Sequence, residues 1–445
     1  MTRLPLFLEI KKRNSDRDDK AEMADIPANQ AILTTADGVP LKTKLRQTQR
    51  RMKTRAFGLV LPLLVFITVT FIWPIGLMVY RGVDNPVFSE AMSNATAALA
   101  RWDTETDELP PNEIIAIVAQ DLVQAYKDKA VGRVATRMNY DLPGSRSLIT
   151  SSARKLSKLE GDVSWKEEMV KIDKRWGERE TWMAMSLASE RYTIAFYMAA
   201  LDRTYDKDGH IAMQPEERQI YITLFLRTIW VSLLITVLCI LLAYPISYLM
   251  ATLPLRISNL LMVLVLLPFW TSLLVRTTSW IVLLQTEGVL NDILVALGII
   301  GNENRIQMIY NMTGTVVAMT HILLPFMVLP LYSVMKTISP SYVRAARSLG
   351  ATPARAFWKV YFPQSVPGIG AGSILVFILA VGYYITPALV GGQSGQLISN
   401  FIAFHMQKSL NWGLAAALGG ILLGGVLALY WLYNKLVGID NMKMG

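Results

Sequence analysis

The sequence predicts an all-α, polytopic membrane protein with six transmembrane helices and a helical extracytoplasmic insertion after the first of them. Three observations carry this. The 445 residues are 52% apolar and only 18% charged, a balance that favours a membrane protein over a soluble globule. Six apolar runs, at 56–80, 229–253, 260–284, 309–335, 368–390 and 412–436, reach the roughly 20 residues that a helix rising about 1.5 Å per residue needs to cross a hydrocarbon core. Between the first two runs the longest apolar stretch, YTIAFYMAAL from Tyr192 to Leu201, is too short to span.

Taken in order, residues 1–55 read as a polar cytoplasmic tail: KKRNSDRDDK is mixed in charge, and there is too little apolar content to bury a core. No signal peptide is expected, because this polar stretch precedes the first apolar run. Lys42, Lys44, Arg46, Arg50, Arg51, Lys53 and Arg55 crowd the start of the first transmembrane helix (56–80) with no acid among them, which places that end in the cytoplasm. An even number of spans then puts both termini there. Arg256 and the group Lys336, Arg344, Arg347, Arg355 and Lys359 fall in loops on the same side, while Glu287, Asp292 and Glu303 fall outside. Trp73, Tyr80, Trp412, Tyr430, Trp431 and Tyr433 sit near span ends, as interfacial aromatics do.

The insertion (81–220) shows helical patterning. Ile114, Ile117, Val118, Leu122 and Ala125 follow an amphipathic spacing after Pro110 and Pro111, and Ser164 with Glu167 forms a capping-box pattern ahead of Met169, Ile172 and Trp176. The DKDG at 206–209 lacks the spacing of a calcium loop, its glycine coming early, and reads as a turn. Pro215 opens PEERQIYITLF, whose charged start and apolar continuation predict a helix lying along the membrane surface before the second span. A five-helix core follows at 221–437, with a cytoplasmic loop at 336–367, then a short cytoplasmic tail at 438–445.

Several function classes are disfavoured. Cys239 is the single cysteine and lies in an apolar run, where packing is its ordinary role. His210, His321 and His405 are scattered without metal-ligand spacing, although His321 lies within an apolar segment as a functional or interhelical residue. No nucleophile with its base, no paired buried carboxylates and no metal cluster mark an enzyme. The excess of basic residues collects at membrane edges while acids outnumber bases between 85 and 220, so no continuous nucleic-acid-binding face forms. An autonomous channel or ion-driven carrier would show symmetric broken helices or a chain of intramembrane acids, and neither pattern is present.

The loop carries the strongest signal. Ser339 and Pro340 are an N-cap and first-turn proline, and a helix can run to Leu349, where Gly350 takes a left-handed C′ position. Thr352 and Pro353 repeat the start. A second helix with Phe357, Val360 and Tyr361 on one face is expected to end at Phe362, before Pro363. Ala345 and Ala346 let another protein approach the backbone, with Arg344 and Arg347 beside them. The product is a rigid basic elbow suited to insert into a cytosolic partner; a merely solvated positive loop is the alternative. A helix-turn-helix reader of DNA is disfavoured by the membrane anchors on both sides.

These residues resemble the EAA-x3-G-x9-I-x-L-P pattern of permease subunits of binding-protein-dependent ABC importers. Ala345, Ala346, Gly350, Val360, Phe362 and Pro363 fall at its spacing, with Val for Ile and Phe for Leu, and Arg344 stands where the family has glutamate. The stretches 266–300 and 368–392 are similar to the spermidine and putrescine type. The resemblance implies a type I importer fold in a bacterial inner membrane, a second permease subunit, two ATPase subunits that dock on Arg344 to Pro363, and a periplasmic solute-binding protein. No cofactor is expected on this chain. It has no GxxxxGK[ST] loop, so ATP use falls to the partner.

Arg276 is a charge deep in a predicted span, where ionised side chains cost about 2.5–3.5 kcal/mol, so a cavity or partner should face it. Trp270 and Trp280 bracket it in sequence, and Glu287 and Asp292 are the nearby acids at the outer mouth. Polyamine recognition calls for carboxylates and aromatic faces. Where polyamine permeases carry an acid after an AVG motif, this chain has Tyr383 and Tyr384. Polyamine is one substrate reading, and an anionic or zwitterionic solute meeting Arg276 is the other.

Overall fold

A computed structural model describes residues 41–437 apart from 105, 160–163 and 207–208; the predicted tails at 1–40 and 438–445 lie outside the described residues. Among the described residues six helical stretches are long and apolar enough to cross a membrane: Thr48–Arg81, Tyr221–Thr252, Leu273–Ala296 (interrupted by a turn after Leu284), Met312–Thr337, Pro353–Gly382 and Trp412–Lys435, called the first to sixth spans below. By contacts the chain divides at Ile75.

In the first unit the helix starts at Leu41, so residues 41–55, read as tail, are helical. Lys, Arg, Gln and Met are good helix formers, and no glycine or proline interrupts them there. The helix widens into a π-turn at Thr68–Ile72, directly before Pro74. A π-turn takes in one extra residue, so the proline falls in the first turn of the next α segment, where its missing N–H costs nothing.

The second unit opens with the inserted lobe. Its helices include Asn112–Lys127, Val131–Asp141, Ser145–Leu156, Trp165–Ile172 and Arg179–Ser189. Val118, Leu122, Met138, Leu148, Trp176 and Trp182 are fully buried in a core of the lobe's own. Trp182 Nε1 donates to the Trp176 carbonyl at 2.8 Å and Trp176 Nε1 donates to Ser152 Oγ at 2.8 Å, so both indoles are buried with their polar atoms satisfied. Two expectations need correction. Ser164 precedes the helix Trp165–Ile172 as foreseen but makes no side-chain capping bond. The DKDG turn closes a small antiparallel hairpin, Arg203–Tyr205 with Ile211–Met213, in a region read as wholly helical; Gly209 has φ +82° and Asp206 Oδ1 accepts from His210 N. Lys207 and Asp208 of that turn are outside the described residues.

The surface helix expected from Pro215 is not separate. A single 3₁₀ turn at Glu216–Arg218 leads straight into the 32-residue helix Tyr221–Thr252. Its start is fixed from a distance: Asp202, 2% exposed, accepts from the backbone N–H of Ile220 (3.1 Å), Tyr221 (2.9 Å) and Ile222 (2.8 Å). A carboxylate on three N–H groups at the positive end of a helix is a charge-assisted cap. Asp202→Ala is expected to lower stability by about 2 kcal/mol, read as an earlier thermal transition in detergent with faster proteolysis between 203 and 219.

Around this cap Phe196, Tyr221, Leu224, Ile398, Leu414 and Leu418 form an apolar cluster that joins lobe to spans. A Cβ at Gly413 would lie 2.5 Å from the Phe196 ring, so only glycine admits that ring. His405 joins Tyr221 Oη (2.9 Å) to Ser409 Oγ (2.9 Å), and burial pushes its pKa down to about 4, which keeps it neutral at ordinary pH.

The second, fourth and fifth spans form the membrane core, with Cys239, Ala243, Leu323, Met327, Leu331, Val376 and Ala380 buried among them. Cys239 packs, as its sequence setting predicts. Gly372 lets the fifth span approach closely, since a Cβ there would lie 2.5 Å from the Met327 sulfur and 3.3 Å from its carbonyl. Two span boundaries differ from expectation. The run 260–284 is not one helix: Leu255–Leu266 ends in a 3₁₀ turn at Leu267–Trp270, the chain is extended at Thr271 and Ser272, and Ser272 Oγ caps a new helix at Val275 N. Uniform hydropathy hid a break made by Pro268 and the cap. The fifth helix ends at Gly382 rather than near Val390, and Ile385–Val390 is a separate short helix.

Candidate functional site

The elbow follows from three local signals. Ser339 Oγ accepts from Ser341 N at 3.4 Å and starts the helix Pro340–Ser348. Gly350, at φ +91°, closes it: its N–H reaches the Arg347 carbonyl at 3.0 Å and Ala351 N reaches the Ala346 carbonyl at 3.1 Å. That pair of bonds is the Schellman arrangement, which turns the chain sharply while satisfying the last carbonyls. Thr352 Oγ1 then caps the second helix at Arg355 N, 3.3 Å. Arg344, Ala345, Arg347 and Gly350 are exposed, Ala346 is half-buried, and Leu349 is 89% exposed at the apex.

The second helix does not stop at Pro363. It passes through a π-turn at Phe357–Tyr361 into the helix Phe362–Gly382, so that Pro363 occupies the first turn of the new segment, the device already seen at Pro74. Elbow and fifth span are therefore one continuous rod. Phe357 stacks on Tyr361 (5.9 Å) and meets Tyr244 (6.0 Å) and Tyr248 (5.8 Å) edge-on; Tyr361 meets Tyr248 at 5.2 Å. Val360 is half-buried, its carbonyl accepting from Gln364 Nε2. Tyr244 and Tyr248 escaped the sequence reading because they sit in an apolar run. Their i, i+4 spacing, matching that of Phe357 and Tyr361, is the signal that marks them as one face.

In the bundle, Arg276 lies on the helix Leu273–Leu284 with its guanidinium carbon 6.0 Å from the Phe269 ring centre. Its Nε is buried and has no hydrogen-bond partner among the described residues. One turn on, Trp280 Nε1 donates to His321 Nδ1 at 3.1 Å, which leaves the His321 proton on Nε2. The structure thus sets Phe269 beside the Arg276 guanidinium and the Trp280–His321 pair one turn on, while Tyr383, half-buried, accepts at its carbonyl from Ser399 Oγ at 2.6 Å. Trp270 does not bracket Arg276: it is 76% exposed, and the ring beside the guanidinium is Phe269. Tyr384 is exposed, with its carbonyl accepting from Asn400 Nδ2 at 2.8 Å. Glu287 is exposed in the turn after Leu284, and Asp292 is paired to Arg305 at 2.9 Å. Neither acid joins the Arg276 group.

With this geometry in place, comparison with known proteins gives a consistent answer. Residues 241–437 match the model of the binding-protein-dependent transport system inner membrane component. The spermidine/putrescine transport system permease protein PotB of Salmonella typhimurium (strain SL1344) is 34% identical over 221 residues, covering 49% of this chain and 76% of that protein. PotB of Escherichia coli (strain K12) is also 34% identical, over 49% and 80%. The molybdenum transport system permease protein ModB of Mycobacterium bovis is 29% identical over 42% of this chain and 69% of its own. Among solved structures, a chain of a bacterial ABC transporter that imports the acidic polysaccharide alginate aligns over 50% of this chain and 83% of its own, with TM-score 0.40 and 17% identity. By the family-model match and the identity to PotB, the chain belongs to the binding-protein-dependent transport system inner membrane components, the permease subunits of ATP-binding-cassette importers.

Proposed function

We propose that this permease carries a solute of the polyamine class, delivered by a periplasmic binding protein, across a cavity completed by a second permease subunit. Both termini and the elbow lie in the cytoplasm, with the inserted lobe outside. An ATPase subunit grips Leu349 and the flanking Arg344 and Arg347, binds and hydrolyses the ATP, and moves the elbow; the continuous rod from Pro353 to Gly382 carries that motion to Tyr383 at its far end. Arg344, in place of the family's glutamate, calls for an acidic or hydrogen-bonding contact on that partner. The elbow on its aromatic bed is the observation that carries the coupling role, and 34% identity to two spermidine/putrescine permeases supports the solute class.

Uptake into proteoliposomes with the cognate ATPase and binding protein tests this: spermidine or putrescine enters only when all components and ATP are present. ATP-independent uptake by the chain alone would favour a carrier. Arg276→Gln separates the solute readings. For a polyamine the charge is not a partner, so KM stays level or falls. A KM rise of about tenfold or more, the loss of a charge-assisted hydrogen bond, would transfer the assignment to an anionic or zwitterionic solute, the reading favoured by the unpaired Arg276 Nε.

A further inference from the structure

Between the second, fifth and sixth spans lies a crevice of about 270 Å³, whose lining includes Leu233, Thr236, Ser373, Phe377, Val426 and Tyr433. Its two aliphatic hydroxyls are already used: Thr236 Oγ1 donates to the Ser232 carbonyl at 2.7 Å and Ser373 Oγ to the Ile369 carbonyl at 2.7 Å. Apart from tyrosine hydroxyls at one end, the lining offers a polar solute no free donor and only the lone pairs of these two hydroxyls, so burying it would cost unpaired hydrogen bonds. A crossing helix is about 10 Å wide with its side chains, too thick for this volume. A single hydrocarbon chain is the shape that fits.

The tyrosine end has a different chemistry. Tyr433 lines it, and two residues further on the Lys435 ammonium stands 5.2 Å from the Trp431 ring centre. Because the spans alternate in direction, this end of the sixth span emerges on the same membrane face as the elbow. A lysine among aromatics at a span end sits at headgroup depth, where its partner is a phosphate. We propose that the crevice binds one acyl chain of a phospholipid whose phosphate rests on Lys435, so that a lipid fills the seam between the fifth and sixth spans.

The test uses the full chain, purified with the subunits that accompany it, in nanodiscs of phosphatidylglycerol and phosphatidylcholine carrying a diazirine on the acyl chain. After irradiation, adducts should concentrate on residues 373–378 and 426–433 over the exposed stretch 255–264. Ser373→Phe, which fills the crevice, should cut them about tenfold, the worth of roughly two methylene contacts. Lys435→Glu leaves the crevice open and should abolish the preference for phosphatidylglycerol. Even labelling along all spans, labelling indifferent to both variants, or a disulfide from Ile374→Cys to a helix of the second permease would overturn the proposal.

Discussion

Gly350→Pro is expected to reduce ATP-coupled uptake to background while the chain still inserts and assembles. At φ +91° the position is closed to proline, whose ring fixes φ near −65°, and the substitution also removes the N–H that reaches the Arg347 carbonyl. The elbow must then open or straighten, and Leu349 leaves the apex. Nothing lies within 4 Å of a Cβ built at Gly350, so the effect is one of backbone conformation and not of crowding. Gly350→Ala provides the graded control: left-handed backbone costs an alanine about 1 kcal/mol, and uptake should fall only severalfold. Nucleotide hydrolysis should continue in the proline variant without stimulation by loaded binding protein. Normal uptake by that variant would remove the docking role from the elbow.

Trp182→Ala is the change expected to damage the inserted lobe most. The side chain is fully buried, its ring centre 5.2 Å from that of Trp176, and its Nε1 satisfies the Trp176 carbonyl. Emptying such a site costs about 3–5 kcal/mol, against a total of roughly 5–15 kcal/mol for a domain. The lobe should become susceptible to protease between 86 and 189 while the membrane core resists. Trp182→Phe keeps much of the volume and should cost far less. If lobe and spans instead melt together, the lobe has no independent core and its packing on Tyr221 and Leu414 is what stabilises it.

The elbow was legible in the sequence because its determinants are local. Ser339 with Pro340, Gly350, and Thr352 with Pro353 each act within a few residues, and the structure uses all of them. Membrane spans were legible for a similar reason, since hydropathy sums over one segment. What failed was the break at Pro268 and Ser272, masked by uniform hydropathy, and whatever depends on partners far away in the chain or on a change of helical pitch. Asp202 caps a helix that begins at Tyr221, and no periodicity reports a carboxylate arriving from another element. Pro363 read as a break, yet it follows a π-turn that accommodates it, as Pro74 does within the first span. In the pathway, Arg276 stood out as a charge in an apolar run, whereas the Phe269 ring beside it and the Trp280–His321 bond one turn on appear only with the fold.

The most direct test of the central claim, that a glycine-closed elbow receives force from a separate ATPase, is cross-linking at its apex. In a Cys239→Ser background, Leu349→Cys should form a cross-link to the nucleotide-hydrolysing subunit in intact membranes, with a yield that changes between nucleotide-free and ATP-bound states. Modification of that cysteine by an impermeant thiol reagent applied from outside the cell, or a turnover cycle in which it never meets the ATPase, would contradict it.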